Sequence, residues 1–315
     1  MMNFTNNQYS QENGISFALM LTVSAVLAPF VLIGNLFVVM AVYKNYNLRT
    51  PTNFILSSLA VNDMVTSVAV ALDSYPMAFG MYVWFPSTAQ LLRMPLVISS
   101  GSAMLHIVAL TVDRYMAVTK PLRYPMLVTK KRVSYGVASI WTISLSDAAF
   151  RSYLEVCGIP KAVGCARAQR LNPGFVIHTW FIVTFLILTL LMLVASNLHI
   201  MRIAVKQARA IENELRSGQN NRVEREEIGR RLKAAKTTGI IVAVLVFLWY
   251  PYILLFSLQV TAIADDDFMV YLNLAFLFEV AVAAALNPFI YHHRDGEFRQ
   301  AFLKIFRDAS NKFVR

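Results

Sequence analysis

Seven long apolar stretches divide the chain, at about 15–43, 52–79, 87–118, 133–154, 173–201, 236–262 and 267–292, and nothing else in it limits the fold so severely. A spanning helix needs about 20 consecutive, mostly apolar residues to cross the hydrocarbon core of a bilayer, and each stretch meets that length. The balance of the 315 residues agrees, with 57% hydrophobic and only 15% charged. Two soluble domains would need far more polar surface. The expected fold is an all-α membrane protein: a seven-transmembrane helix bundle over 15–292, preceded by a polar N-terminus over 1–14 and followed by a short amphipathic cytoplasmic helix and tail over 293–315.

The formal charge of +11 raises nucleic acid as a partner, and its distribution argues against that. Of the 29 lysines and arginines, 24 follow spans one, three, five and seven. The opposite side has Arg93, Arg151, Lys161, Arg167 and Arg170, together with the acidic run Asp265, Asp266, Asp267. Positive loops stay in the cytoplasm, which puts the N-terminus outside a multi-pass plasma-membrane protein. The surplus charge then serves orientation and contact with membrane lipids. No basic region and cleavage site precede the first span, so it reads as an uncleaved anchor. Asn3 in "NFT" is an N-glycan acceptor if it reaches the lumen, with a chance match as the alternative. Cys157 and Cys165 fall in the outer loop after span four, an oxidising compartment where a bridge within the loop is expected, two free thiols being the alternative.

Polar residues inside the apolar spans are the functional candidates, because an ionisable group at the bilayer centre costs roughly 2.5–3.5 kcal/mol on insertion scales and must face protein or a water-filled cavity. Asn35 in span one, Asp63 in span two and Asn287 in span seven sit at matching depths and are expected to form one hydrogen-bonded cluster. Pro251 and Pro288 lie inside spans six and seven, where each removes a backbone hydrogen bond and kinks the helix. Beyond span seven, Phe298, Phe302, Leu303 and Phe306 alternate with Arg299, Lys304 and Arg307 as in a helix lying along the membrane face. Asp147 in span four and Glu279 in span seven are further intramembrane carboxylates without an assigned partner.

At the cytoplasmic end of span three the apolar run stops at Asp113 and Arg114. This "DRY", with "GN" at Asn35, "LAVND" at Asp63, Trp141 in span four, "WYP" at Trp249 and "NPFIY" at Asn287, resembles the rhodopsin-like G-protein-coupled receptors along essentially the whole chain. The nearer likeness is to the cluster containing melanocortin, adenosine, lysophospholipid and cannabinoid receptors. The resemblance implies no enzyme and no cofactor, with a heterotrimeric G protein and an extracellular ligand as partners. Asp113, Arg114, Tyr115 and Leu122 would couple to the G protein. Asp63, Trp249, Pro251, Asn287, Pro288 and Tyr291 would form the activation switch, and Asp73, Arg93, Leu96, Ser99, Trp249 and Phe256 the ligand pocket.

Departures from the family pattern carry their own expectations. Ala89 replaces the usual span-three cysteine, so the common bridge to the outer loop cannot form. Arg231 replaces the span-six acid that pairs with the "DRY" arginine, which predicts a weakly held resting state and high basal activity. Ala103 and Ala283 replace polar side chains of the sodium-binding members, and no metal is expected. Leu96 stands where amine receptors have an aspartate, which disfavours an amine and leaves a peptide, lipid or small molecule. Two other readings are a receptor that signals without ligand and a membrane transporter, for which the halves of the chain lack the expected internal repeat.

Overall fold

The computed structural model describes residues 2–78, 86–157, 173–216, 266–294 and 296–313, together with Gly229 and Ser257. Trp249, Pro251, Phe256, Arg231 and Cys165 lie outside the described residues, and at Asn3, Ala89, Cys157 and Tyr291 only the backbone is described, in each case helical.

Spans one to five are the helices Met2–Lys44, Pro51–Ala78, Pro86–Thr119, Lys130–Cys157 and Pro173–Arg216, span seven is Asp266–Arg294, and the terminal helix is Gly296–Phe313. A 3₁₀ turn, Tyr46–Leu48, joins spans one and two, and a helical turn, Tyr124–Leu127, lies between three and four. Three of these helices open on a proline, Pro51, Pro86 and Pro173. Proline suits that position because its ring presets the helical φ and the first turn has no use for its missing N–H. No strand occurs among the described residues.

Among the described residues, four segments are long and apolar enough to cross a bilayer, Ala25–Lys44, Pro51–Ser74, Leu91–Thr119 and Pro173–Ile203, and span seven contributes the shorter apolar segment Ala275–Ile290. Span four is long enough but less apolar. Four of its hydroxyls are accommodated within the helix: Ser134, Ser139, Thr142 and Ser144 each donate to the carbonyl four residues earlier. Such back-bonding leaves no hydroxyl proton to be satisfied by lipid. Span one packs on spans two and seven, span two also on three, four and seven, and span three on four and five. Large apolar side chains such as Phe30, Ile33, Phe181 and Leu188 point outward, the arrangement of a protein solvated by lipid.

The structure adds two details to the expected elements. The helix that carries span one runs from Met2 to Lys44, with its apolar, membrane-length segment at Ala25–Lys44. The terminal helix turns Phe298 and Phe302 toward the bundle, together with Ala301 and Ile305. Phe302 meets Phe37 of span one with ring centroids 6.1 Å apart and Phe298 at 6.0 Å. Leu303 is 59% exposed because five residues of helix carry it well round from Phe298.

The proline of span seven fixes how spans one and seven meet. Pro288 has no N–H to donate to the Ala284 carbonyl one turn earlier, and the Asn35 amide fills that place from span one, donating to Ala284 O at 3.2 Å as well as to Val31 O at 2.9 Å. Gly34 permits the approach, since a Cβ there would lie 3.1 Å from Pro288 Cγ. Asn35→Leu should therefore cost about 1–2 kcal/mol by stranding a buried carbonyl, and Gly34→Leu should cost at least as much by steric conflict. Thermal unfolding of the purified protein checks both; variants that unfold with the wild type would contradict this packing.

Candidate functional site

Among the described residues, polar clusters lie at the middle and at both ends of the bundle. In the middle, Asn287 Nδ2 of span seven donates to Asp63 Oδ2 of span two at 2.8 Å. The expected three-membered cluster divides into two, because Asn35 bonds to Ala284 O and not to Asp63. Beside the Asp63 carboxylate is a cavity of about 20 Å³ between spans two, three and seven, lined by Thr66, Ser99, Ser100, Ala103, Ala283 and Asn287 among others. That volume is enough for one water-sized guest. Ala103 and Ala283 bring no side-chain oxygen to it, so the donor set is thin for a hard cation, which takes about six oxygens. No group of three or more metal-ligating His, Cys, Asp or Glu occurs among the described residues. Asn62 donates to the Ser99 carbonyl at 3.0 Å, while the amide oxygens of Asn35 and Asn62 accept no hydrogen bond.

At the end of the bundle with the basic loops, Asp113 is buried and both its oxygens are occupied. Thr52 donates to Oδ2 at 2.9 Å and the Tyr124 hydroxyl donates to Oδ1 at 2.7 Å. The Arg114 guanidinium is only loosely engaged, with Nε 3.8 Å from Asp113 Oδ2. Asp113 and Arg114 thus form a loose pair, and the stronger ties of the carboxylate run to span two and to the turn Tyr124–Leu127. Burial first, and then the Asp113 charge, push the Tyr124 phenol up to about 12, against hydrogen bonding from Thr52, which acts in the other direction. Tyr124 thus stays protonated and donating throughout the physiological range. Tyr115 is exposed, with its ring 5.7 Å from that of His199 in span five. Leu122 is 94% exposed at the tip of the same loop.

At the opposite end Arg93 of span three grips Asp73 of span two, Nε to Oδ1 at 2.9 Å and Nη2 to Oδ2 at 3.4 Å. Leu96 and Ser99, one and two turns further in, are buried, and Leu96 packs with Ala69, Val70, Leu277 and Val280 in an apolar cluster between spans two, three and seven. Asp147, which lacked a partner in the sequence, meets His178 of span five at 3.0 Å. Glu279 is half-buried on span seven.

The pattern of apolar spans gave no sign of a fourth arrangement, centred on His106. His106 Nδ1 lies 2.8 Å from the Ser102 carbonyl and Nε2 lies 2.8 Å from Ser58 Oγ of span two. A carbonyl only accepts, so Nδ1 carries the proton, and in the neutral ring Nε2 accepts from the Ser58 hydroxyl. Trp141 Nε1 of span four donates to the same Ser58 oxygen at 3.1 Å. One directed chain of hydrogen bonds thereby joins spans four, two and three.

Comparison with known proteins places this architecture. The model of the family "7 transmembrane receptor (rhodopsin family)" matches residues 34–291. Trace amine-associated receptor 9 of Rattus norvegicus is 31% identical, covering 93% of this chain and 88% of its own. Adenosine receptor A2a of Homo sapiens is 28% identical over 91% of this chain and 72% of its own. Adenosine receptor A2b of Mus musculus is 29% identical over 91% and 90%. With this match over most of its length and motif side chains meeting inside a helical bundle, the chain belongs to the rhodopsin family of seven-transmembrane, G-protein-coupled receptors.

Proposed function

We propose that the receptor lies in the plasma membrane with its N-terminus outside, takes its ligand at the end marked by Asp73 and Arg93, and engages the G protein at the end marked by Arg114 and Leu122. The observation that supports this most is the tie from Asp113 to Thr52 and Tyr124. It anchors the loop bearing the exposed Leu122 to two spans and leaves the Arg114 guanidinium 3.8 Å from its neighbour. A loosely held arginine needs little energy to turn toward a G protein, and receptors of this kind work by shifting a two-state population. Asp63, Asn287 and Pro288 form the described part of the activation switch, and Trp249, Pro251 and Tyr291 complete it. The loop cysteines Cys157 and Cys165 form a bridge, and Asn3 accepts a glycan. Anionic lipid of the inner leaflet contacts Arg299, Lys304 and Arg307 of the terminal helix.

The loose pair favours high basal activity, up to signalling with no ligand at all. Amines and adenosine, named for the relatives, fit poorly, since buried Leu96 replaces the amine-binding carboxylate and Phe256 the asparagine that meets a purine.

In cells without added ligand, G-protein dissociation and cyclic AMP should depart from the untransfected baseline, and Arg114→Ala at matched surface level should abolish that difference. Equal signals from both proteins would contradict the coupling role of Arg114. Tyr124→Phe removes one hydrogen bond to a charged carboxylate, a contact of about 1.5–3 kcal/mol. It should weaken coupling roughly tenfold or more without loss of surface protein, and unchanged coupling would rule out the anchoring role. The phenol is raised above its ordinary value near 10, so its contribution to stability is whole below that pH and is lost only as pH rises through about 12. Stability measured between pH 6 and about 9 should show no step from this group.

A further inference from the structure

Of the carboxylates described within the spans, all but one have a partner in the protein. Asp63 accepts from Asn287, Asp73 from Arg93, Asp113 from Thr52 and Tyr124, and Asp147 meets His178. Glu279 of span seven makes no hydrogen bond or ion pair with a described residue. It is nonetheless half-buried, level with Leu277 and Val280, which pack with Leu96 in the apolar cluster between spans two, three and seven. Leu96 in turn lies one turn in from Arg93, so Glu279 is at the depth of the ligand end. The helical repeat fixes which flank it occupies. Ala284 and Pro288 meet Asn35 and Gly34 of span one. Glu279 precedes Pro288 by nine residues, which at 3.6 per turn sets it about half a turn round. It therefore stands on the flank turned away from span one, one turn outward from Ala283, which borders the cavity beside Asp63.

A carboxylate at that depth without a counter-charge destabilises the bundle, and it is relieved only by a group that brings its own donor. The neighbourhood selects the kind of group. Phe276, Leu277, Val280 and Leu96 form an apolar wall with no second charge, so an anion is repelled and has nothing to hold it. A hard metal ion takes about six oxygens, and one carboxylate cannot supply them. A charged nitrogen on an apolar body matches both the carboxylate and the wall beside it. We infer that the ligand of this receptor is an apolar molecule bearing a positively charged nitrogen, received by Glu279 of span seven. Buried Leu96 still excludes a ligand shaped for a carboxylate on span three, because the counter-charge has its place on another helix. This rests on the placement of the ligand end proposed above, and binding measured without a G protein separates it from the coupling claims.

The test uses the full-length receptor in phosphatidylcholine nanodiscs, with hexylamine, hexanol and hexanoate as probes that share an apolar body and differ in the headgroup. The readout is the probe-induced change in unfolding temperature, which cancels any intrinsic effect of a substitution. Hexylamine should raise the unfolding temperature of the wild type well beyond hexanol, and hexanoate should not raise it. Glu279→Gln removes the charge with little change of shape and should weaken the apparent affinity for hexylamine at least about tenfold, the loss of one charge-assisted contact. Glu279→Asp should retain part of the effect. A second readout needs no probe: with no partner to strand, Glu279→Gln should leave the ligand-free receptor unfolding at the wild-type temperature or above it. The inference is overturned if hexylamine has no effect on the wild type or if either other probe acts as strongly. It is equally overturned if Glu279→Gln responds to hexylamine like the wild type, as recognition by Asp265, Asp266 and Asp267 would produce, or if that variant unfolds at a lower temperature without probe, which would reveal a partner within the protein. Any of these results alongside intact agonist-free coupling would leave the coupling reading standing.

Discussion

A polar donor that enters the hydrocarbon region is costly unless it finds an acceptor in the protein, and several contacts between spans follow from how that demand is met. The clearest case is the junction of spans one and seven. Pro288 withdraws an N–H from the ladder, Asn35 answers from the neighbouring span, and Gly34 allows the two backbones to come close enough. Each of the three residues makes sense only with the other two. The same demand explains the directed chain from Trp141 through Ser58 to His106, and the hydroxyls of span four that bond to their own helix.

Satisfying the interior in this way produces a gradient of constraint along the bundle axis. The middle is closely held, with Asp63 against Asn287 and only a water-sized cavity beside them. The end with the basic loops is different, because its buried carboxylate is committed to two hydroxyls and its arginine is left weakly engaged. The middle cluster bridges spans two and seven directly, so a relative movement of those two spans would have to change it.

Much of this was legible in the sequence. The spans could be located because each needs about 20 apolar residues, and Asp63, Asn287 and Pro288 stood out as costly residues in an apolar setting. Asp73 and Arg93 could be marked from sequence as residues of one end of the bundle, and their pairing is what the structure adds. What the sequence concealed were partners whose residue types are unremarkable. Thr52 and Tyr124 lie in loop-flanking positions where hydroxyls are common, so nothing marked them as the main ligands of Asp113. Ser58 and His106 form their chain through tertiary contact 48 residues apart, and no local pattern records that. The division of the Asn35 and Asp63 cluster was hidden for a related reason: matching depth places two residues in one layer, but only the rotation of each helix decides which of them touch.

The central claim is that Asp63 and Asn287 act as one hydrogen-bonded unit linking span two to span seven. Exchanging the two groups tests it most directly, by comparing agonist-free signalling of Asp63→Asn, Asn287→Asp and the double variant at equal surface level. If the unit is real, each single change should impair signalling strongly and the double variant should recover much of it, because carboxylate and amide meet again with their positions reversed. If the double variant shows only the summed losses of the single variants, the two residues act independently, and the account of the polar centre is wrong.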